Sequence, residues 1–111
     1  MILMLSAEVE SSGLWDYEQD IELPYNFINI SANLENLINH WVKAYEPYTA
    51  LPNIENINIR NSLEELDKEG INLLKQIAFQ YKNPQKYYYY SVGKDKLEYV
   101  LYKDGTEKYF D

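Results

Sequence analysis

Apolar residues recur along this chain with two different periods, and the periods mark its elements. Leu34, Leu37, Ile38, Trp41, Val42 and Tyr45 fall at steps of three and four, lining one face of a 3.6-residue repeat and predicting a helix. Ser31 offers an N-cap hydroxyl, and Pro47 stops the helix after Glu46. A second stripe of Leu63, Leu66, Gly70, Leu73, Leu74, Ile77 and Tyr81 predicts a second helix. Its start reads as a capping box, Ser62-Leu63-Glu64-Glu65, in which hydroxyl and carboxylate each satisfy a free backbone N–H; Asn83-Pro84 ends it. Gly70 lies on the stripe, where glycine costs about 1 kcal/mol against alanine. It is therefore expected to admit a close neighbour, either Trp41 or a sheet. The intervening stretch YTALPNIENINIRN, residues 48–61, reads as a loop.

The rest alternates with period two. Residues 2–9 place Ile2, Met4 and Ser6 on one face and Leu3, Leu5 and Ala7 on the other. Apolar residues on both faces predict a buried strand, covered by helices and flanked by other strands. Ser11-Ser12-Gly13 breaks it, and an irregular stretch from Leu14 to Ile30 follows. After the second helix, KYYYYSV, KLEYVLYK and TEKYFD read as three short strands, joined by turns at Gly93-Lys94-Asp95 and at Asp104-Gly105, a favoured type I′ pair. The expected fold is α+β: an N-terminal strand and two amphipathic helices on one face of a small sheet, which a C-terminal antiparallel three-strand meander completes. At 111 residues the chain is expected to form one domain.

Composition sharpens this picture. The chain is 46% hydrophobic and 15% aromatic, which excludes a disordered chain despite its acidity. It has no cysteine, so disulfides and thiolate metal sites are excluded and a reducing cytoplasm is the expected setting. The opening MILMLSAEVE lacks a basic segment and meets acids at once, unlike a secretory signal, and no apolar run approaches the length of a membrane span. The net charge of −8 is uneven: seven acids and no Lys or Arg precede Lys43, whereas eleven acids face ten bases from there onward. Such a field repels nucleic-acid phosphates and anionic membranes and attracts a basic protein.

The densest acidity lies in WDYEQDIEL, residues 15–23, where Asp16, Glu18, Asp20 and Glu22 take every second position, as a pleated strand would present them. As a calcium loop the run fails, because Ile21 stands where glycine is needed and Phe27 where the bidentate Glu belongs. Carboxylate-pair hydrolysis has no accompanying pocket motif. His40, the single histidine, has no cysteine to pair with and no serine motif beside it, and four glycines make no phosphate loop. No cofactor and no metal are expected. The bland alternative is a solvated, solubilising edge. Placed among Trp15 and Tyr17, however, the acids also suit a contact surface for a Lys/Arg-rich groove. Tyr87 to Tyr90 would put two rings on each face of one strand, at least two of them for packing.

Ser12-Gly13-Leu14-Trp15-Asp16, then Leu23-Pro24, then the helix end Trp41-Val42-Lys43-Ala44-Tyr45-Glu46, resemble a family of small acidic bacterial proteins. Glu69-Gly70-Ile71-Asn72-Leu73 and Lys86 to Tyr90 extend the resemblance over most of residues 1–92. Some members resemble immunity proteins of bacterial toxin systems, including contact-dependent growth inhibition. The resemblance implies neutralisation of a toxin domain by tight binding, with Ser12, Leu14, Trp15, Trp41, Glu69 and Gly70 in structural roles, and it carries over no binding residue. Combined with the charge pattern, it leads to the expectation of a non-catalytic immunity protein against a cognate basic toxin domain, a nuclease. Glu10, Asp16, Glu18, Asp20 and Glu22 would pair with toxin Lys and Arg, and Trp15 and Tyr17 would add apolar area. The competing expectations are a non-catalytic acidic adaptor, a small enzyme using His40 with a carboxylate, and a nucleic-acid mimic with a longer acidic surface.

Overall fold

The computed structural model describes residues 1–49 and 57–110. Along the chain run β1 (Ile2–Leu5), β2 (Leu14–Asp16), β3 (Ile21–Glu22), a 3₁₀ turn (Tyr25–Phe27), α1 (Ala32–Tyr45), a second 3₁₀ turn (Glu46–Tyr48), α2 (Ile57–Gln80), β4 (Lys86–Ser91), β5 (Lys96–Tyr102) and β6 (Glu107–Tyr109). The strands form one sheet in the order β3-β2-β1-β4-β5-β6. β1 pairs parallel with β4, and every other pairing is antiparallel. This is the α+β architecture that the sequence predicts, with the closing meander β4-β5-β6. Neither helix is long and apolar enough to cross a membrane.

Register explains the layering. Leu3 and Leu5 align with Tyr87 and Tyr89 of β4, which face Leu101 and Tyr99 of β5. Leu3, Leu5, Tyr87, Tyr89 and Tyr99 are buried on this face, against Ile38, Trp41 and Tyr45 of α1 and Leu73, Leu74 and Ile77 of α2. Each such side chain contributes about 1.5–3 kcal/mol of burial. The opposite face carries Ile2, Met4, Trp15 and Tyr88, half-buried and under no helix. The tyrosine run thus divides as its alternation predicts: Tyr87 and Tyr89 pack inward, Tyr88 and Tyr90 outward.

Several boundaries differ from the sequence expectation. β1 ends at Leu5 rather than residue 9, because Glu8 to Glu10 turn into solvent and Glu10 takes a positive φ of 61°. β1 is covered by helices on one face only. Leu37 is 41% exposed, lying at the margin of the arc that α1 buries. Ser31 caps α1 as expected, its hydroxyl accepting from the Leu34 N–H. Ser62 does not cap α2, since residues 57–61 are already helical. Ile59, four residues before Leu63, carries the stripe back a turn, and no proline or glycine interrupts it. Of the expected loop, residues 50–56 lie outside the described residues. The Asp104-Gly105 turn is not type I′, because only Gly105 has positive φ (92°). The Gly105 N–H donates to the Tyr102 carbonyl at 2.9 Å, giving a type I turn whose glycine forms the bulge.

One polar cluster sits inside this core. Asp67, 3% exposed on α2, accepts from Tyr45 Oη (2.9 Å) and Tyr89 Oη (2.5 Å) at Oδ1 and from Ser91 Oγ (2.8 Å) at Oδ2. Lys94 Nζ lies 3.6 Å from Oδ2 and also meets Glu64 (2.7 Å) and Glu98 (2.8 Å). The cluster ties α1, α2 and the β4–β5 turn together. Burial, with the Asp67 carboxylate adding, pushes both the Tyr45 and the Tyr89 hydroxyls well above the ordinary tyrosine range. A group whose folded-state pKa is raised keeps its stabilising contribution below the unfolded value, near 10, and loses it as pH climbs further. Well above pH 10 each tyrosine then removes about 1.4 kcal/mol per pH unit; across the onset, from about pH 10 to 11, the two together should lower stability by roughly 2 kcal/mol. Urea midpoints measured from about pH 8 to 11.5 check this; a flat profile would contradict the buried hydroxyls.

Candidate functional site

The acidic run folds as a hairpin, not as one extended strand. β2 ends at Asp16, residues 17–20 turn, and Ile21 pairs back against Asp16. Two of the four carboxylates shape the turn. Asp16 is only 6% exposed, and its Oδ1 accepts from the Glu18 N–H (3.1 Å) and the Gln19 N–H (3.3 Å). Asp20 sits in the left-handed region at φ 54°, which aspartate tolerates better than most residues. Alternation fails as a strand signal here because Gln19 and Tyr17 have no second face to bury, whereas Asp16 can satisfy the turn's own amides. Asp16 is therefore withdrawn from the set of available contact residues.

The remaining predicted residues are divided by the same geometry. Tyr17, Glu18, Asp20 and Glu22 are exposed along the β3 edge of the sheet. Glu18 lies 3.7 Å from the N-terminal amine, and Glu22 accepts from the Ser12 N–H at 3.0 Å, which pins β3 beside the β1–β2 loop. Ser12 Oγ reinforces that pin through the Leu23 carbonyl at 2.6 Å. Glu10 stands at the other end of β2, lining a hollow with Asn39, Lys43 and Glu46. Trp15 lies half-buried on the uncovered sheet face, its indole N–H donating to the Ser6 carbonyl at 3.2 Å. The seven residues thus do not form one patch. Tyr17, Glu18, Asp20 and Glu22 lie on the β3 edge and its turn, with Trp15 paired directly opposite Glu22; Glu10 is placed elsewhere, and Asp16 is inside.

Two contributors to this edge lie outside the predicted set. Ile21 is 47% exposed on β3, and Tyr17, 50% exposed, packs edge-on to Tyr88 with ring centroids 4.8 Å apart. The edge therefore offers apolar area between its carboxylates. Ile21 was open to prediction, since it is the one aliphatic residue between Asp16 and Glu22. Glu35 at the start of α1 adds to the negative field: burial, then Glu35 and Glu22, push the Tyr25 hydroxyl up to about 12. Among the described residues no Lys or Arg pairs with Glu18, Asp20 or Glu22, although Lys68, Lys75 and Lys94 all find carboxylates elsewhere. Apart from the N-terminal amine beside Glu18 and the Ser12 N–H on Glu22, these carboxylates face solvent.

His40 is exposed on α1 and has no carboxylate in hydrogen-bond reach among the described residues. Nor is any group of three His, Asp or Glu side chains among them placed to hold a metal ion. Comparison with known protein families, characterised proteins and solved structures found no match to this chain. The likeness to immunity proteins rests on its motifs alone.

Proposed function

We propose that this chain is an immunity protein, which binds and neutralises a cognate bacterial toxin domain, a basic nuclease, without catalysis of its own. The observation that carries the proposal is the β3 edge, where Glu18, Asp20 and Glu22 are exposed without a basic side chain of the protein's own, next to Tyr17 and Ile21. Carboxylates at such an edge would occupy the lysines and arginines that a nuclease uses for phosphates, and the two apolar residues would exclude water around them. Opposed charges raise association toward ~10⁸–10⁹ M⁻¹s⁻¹ at low salt. Close interfacial charge pairs couple by about 1.5–7 kcal/mol, so two or three of them suffice for tight inhibition.

Coexpression with a candidate toxin domain tests the reading. The wild-type chain should restore growth, and the double variant Glu18→Lys with Glu22→Lys should fail to do so while keeping its far-UV CD spectrum. Both side chains are exposed, and the CD spectrum checks that losing the Glu22 bond to the Ser12 N–H leaves the fold intact. Full protection by the double variant would remove the β3 edge from the interface, and no protection by the wild type would reject the toxin.

A further inference from the structure

The charge asymmetry has a second half. Residues 75–110 hold seven lysines against four acids, the reverse of the N-terminal third. Three of those lysines, Lys75, Lys82 and Lys103, rim a groove of about 350 Å³ floored by Tyr87, Leu101 and Tyr102, between the last turns of α2 and the end of β5. Phe79 stands at its margin with 77% of its surface exposed, the highest value among the exposed large apolar side chains. Lys82 Nζ lies 5.4 Å from the Phe79 ring centre, and Lys86 Nζ 5.7 Å from that of Tyr102. Lys75 is shared with Glu107 at 3.6 Å, whereas no carboxylate pairs with Lys82 or Lys103 among the described residues. Apolar rings under unneutralised ammonium groups suit a ligand that brings carboxylates and an apolar side chain together.

We propose that this groove is a second docking site, which receives a short acidic segment of a partner protein with an aromatic or large aliphatic residue beside its carboxylates. Charge complementarity decides the occupant. A nucleic acid long enough to bind would carry phosphates past the groove into a molecule of net charge −8, whereas a peptide with a few carboxylates meets only the local lysines. The chain's own acidic hairpin cannot fill the site, because β3 lies at the sheet edge four strands from β5, about 19 Å away at strand spacing. A second copy would bring its whole net charge of −8 and not just a few carboxylates, so it is opposed more strongly than a short peptide. The site shares no residue with the β3 edge, so it stands or falls independently of toxin binding.

Fluorescence anisotropy with a dye-labelled nonapeptide of alternating Glu and Phe tests the proposal at about 50 mM salt, where charge contacts are weakly screened. Saturable binding is expected, weakened about tenfold or more by Phe79→Ser and by the pair Lys82→Glu with Lys103→Glu, as for anchor residues of an interface. All three side chains are exposed, and CD verifies each variant's fold. A Glu-Ser peptide should bind about tenfold more weakly, and Glu18→Lys should change nothing. The proposal is overturned by absence of saturation up to about 1 mM peptide, by unchanged affinity in both groove variants, or by equal or tighter binding of a single-stranded oligothymidine.

Discussion

Replacing Asp67 by alanine should cost the protein roughly 3–5 kcal/mol, the loss expected when one side of a buried charged network is removed. The substitution removes the carboxylate to which the Tyr45, Tyr89 and Ser91 hydroxyls all donate, at a position only 3% exposed. It also leaves the Lys94 ammonium with Glu64 and Glu98 only. Against a total stability of about 5–15 kcal/mol this is a large fraction. Asp67→Asn keeps the shape and one acceptor oxygen, so it should lose less than half as much. Urea unfolding of the two variants separates the cases: the expected order is wild type, then Asn, then Ala, and an alanine variant within about 1 kcal/mol of wild type would show that the network contributes little.

Gly70→Ala sets two opposite effects against each other. Helix propensity alone favours alanine by about 1 kcal/mol in the middle of α2. A Cβ at position 70, however, would lie 2.6 Å from Cζ2 of Trp41 and closer still to the Tyr89 ring. Neither ring can withdraw cheaply. Trp41 is held by its indole N–H on the Leu66 carbonyl at 2.8 Å and Tyr89 by its bond to Asp67, and both are buried. Overpacking of this kind costs about 1–3 kcal/mol, so the net effect should be destabilising, with Gly70→Val worse than Gly70→Ala. A thermal shift upward in the alanine variant would mean that α2 and α1 can move apart, contrary to the packing described here.

That close approach was open to inference from sequence, because a glycine on a buried stripe has a cost that some neighbour must repay. Helix α1 was equally readable: Ser31, the stripe from Leu34 to Tyr45 and Pro47 are local signals that agree. The start of α2 was not, since a capping box is only a local preference and the upstream Ile59 outweighed it. The Asp67 cluster lies beyond sequence reading for another reason. Its hydrogen bonds join residues 22 to 48 positions apart, and nothing in the stripe distinguishes a buried aspartate from a solvated one. At the candidate site the acidic excess was visible in the charge count, whereas its arrangement depended on a turn. The Asx-type bonds of Asp16 and the left-handed Asp20 converted a ladder of four carboxylates into a hairpin edge with three.

The central proposal, that the β3 edge captures a basic protein by its charge, is tested most directly by stopped-flow association with the toxin domain across about 50 to 500 mM salt. The wild-type rate constant should fall steeply as salt rises, and Glu18→Lys with Glu22→Lys should bind slowly with a nearly flat salt dependence. Equal rates for both proteins, insensitive to salt, would contradict the proposal.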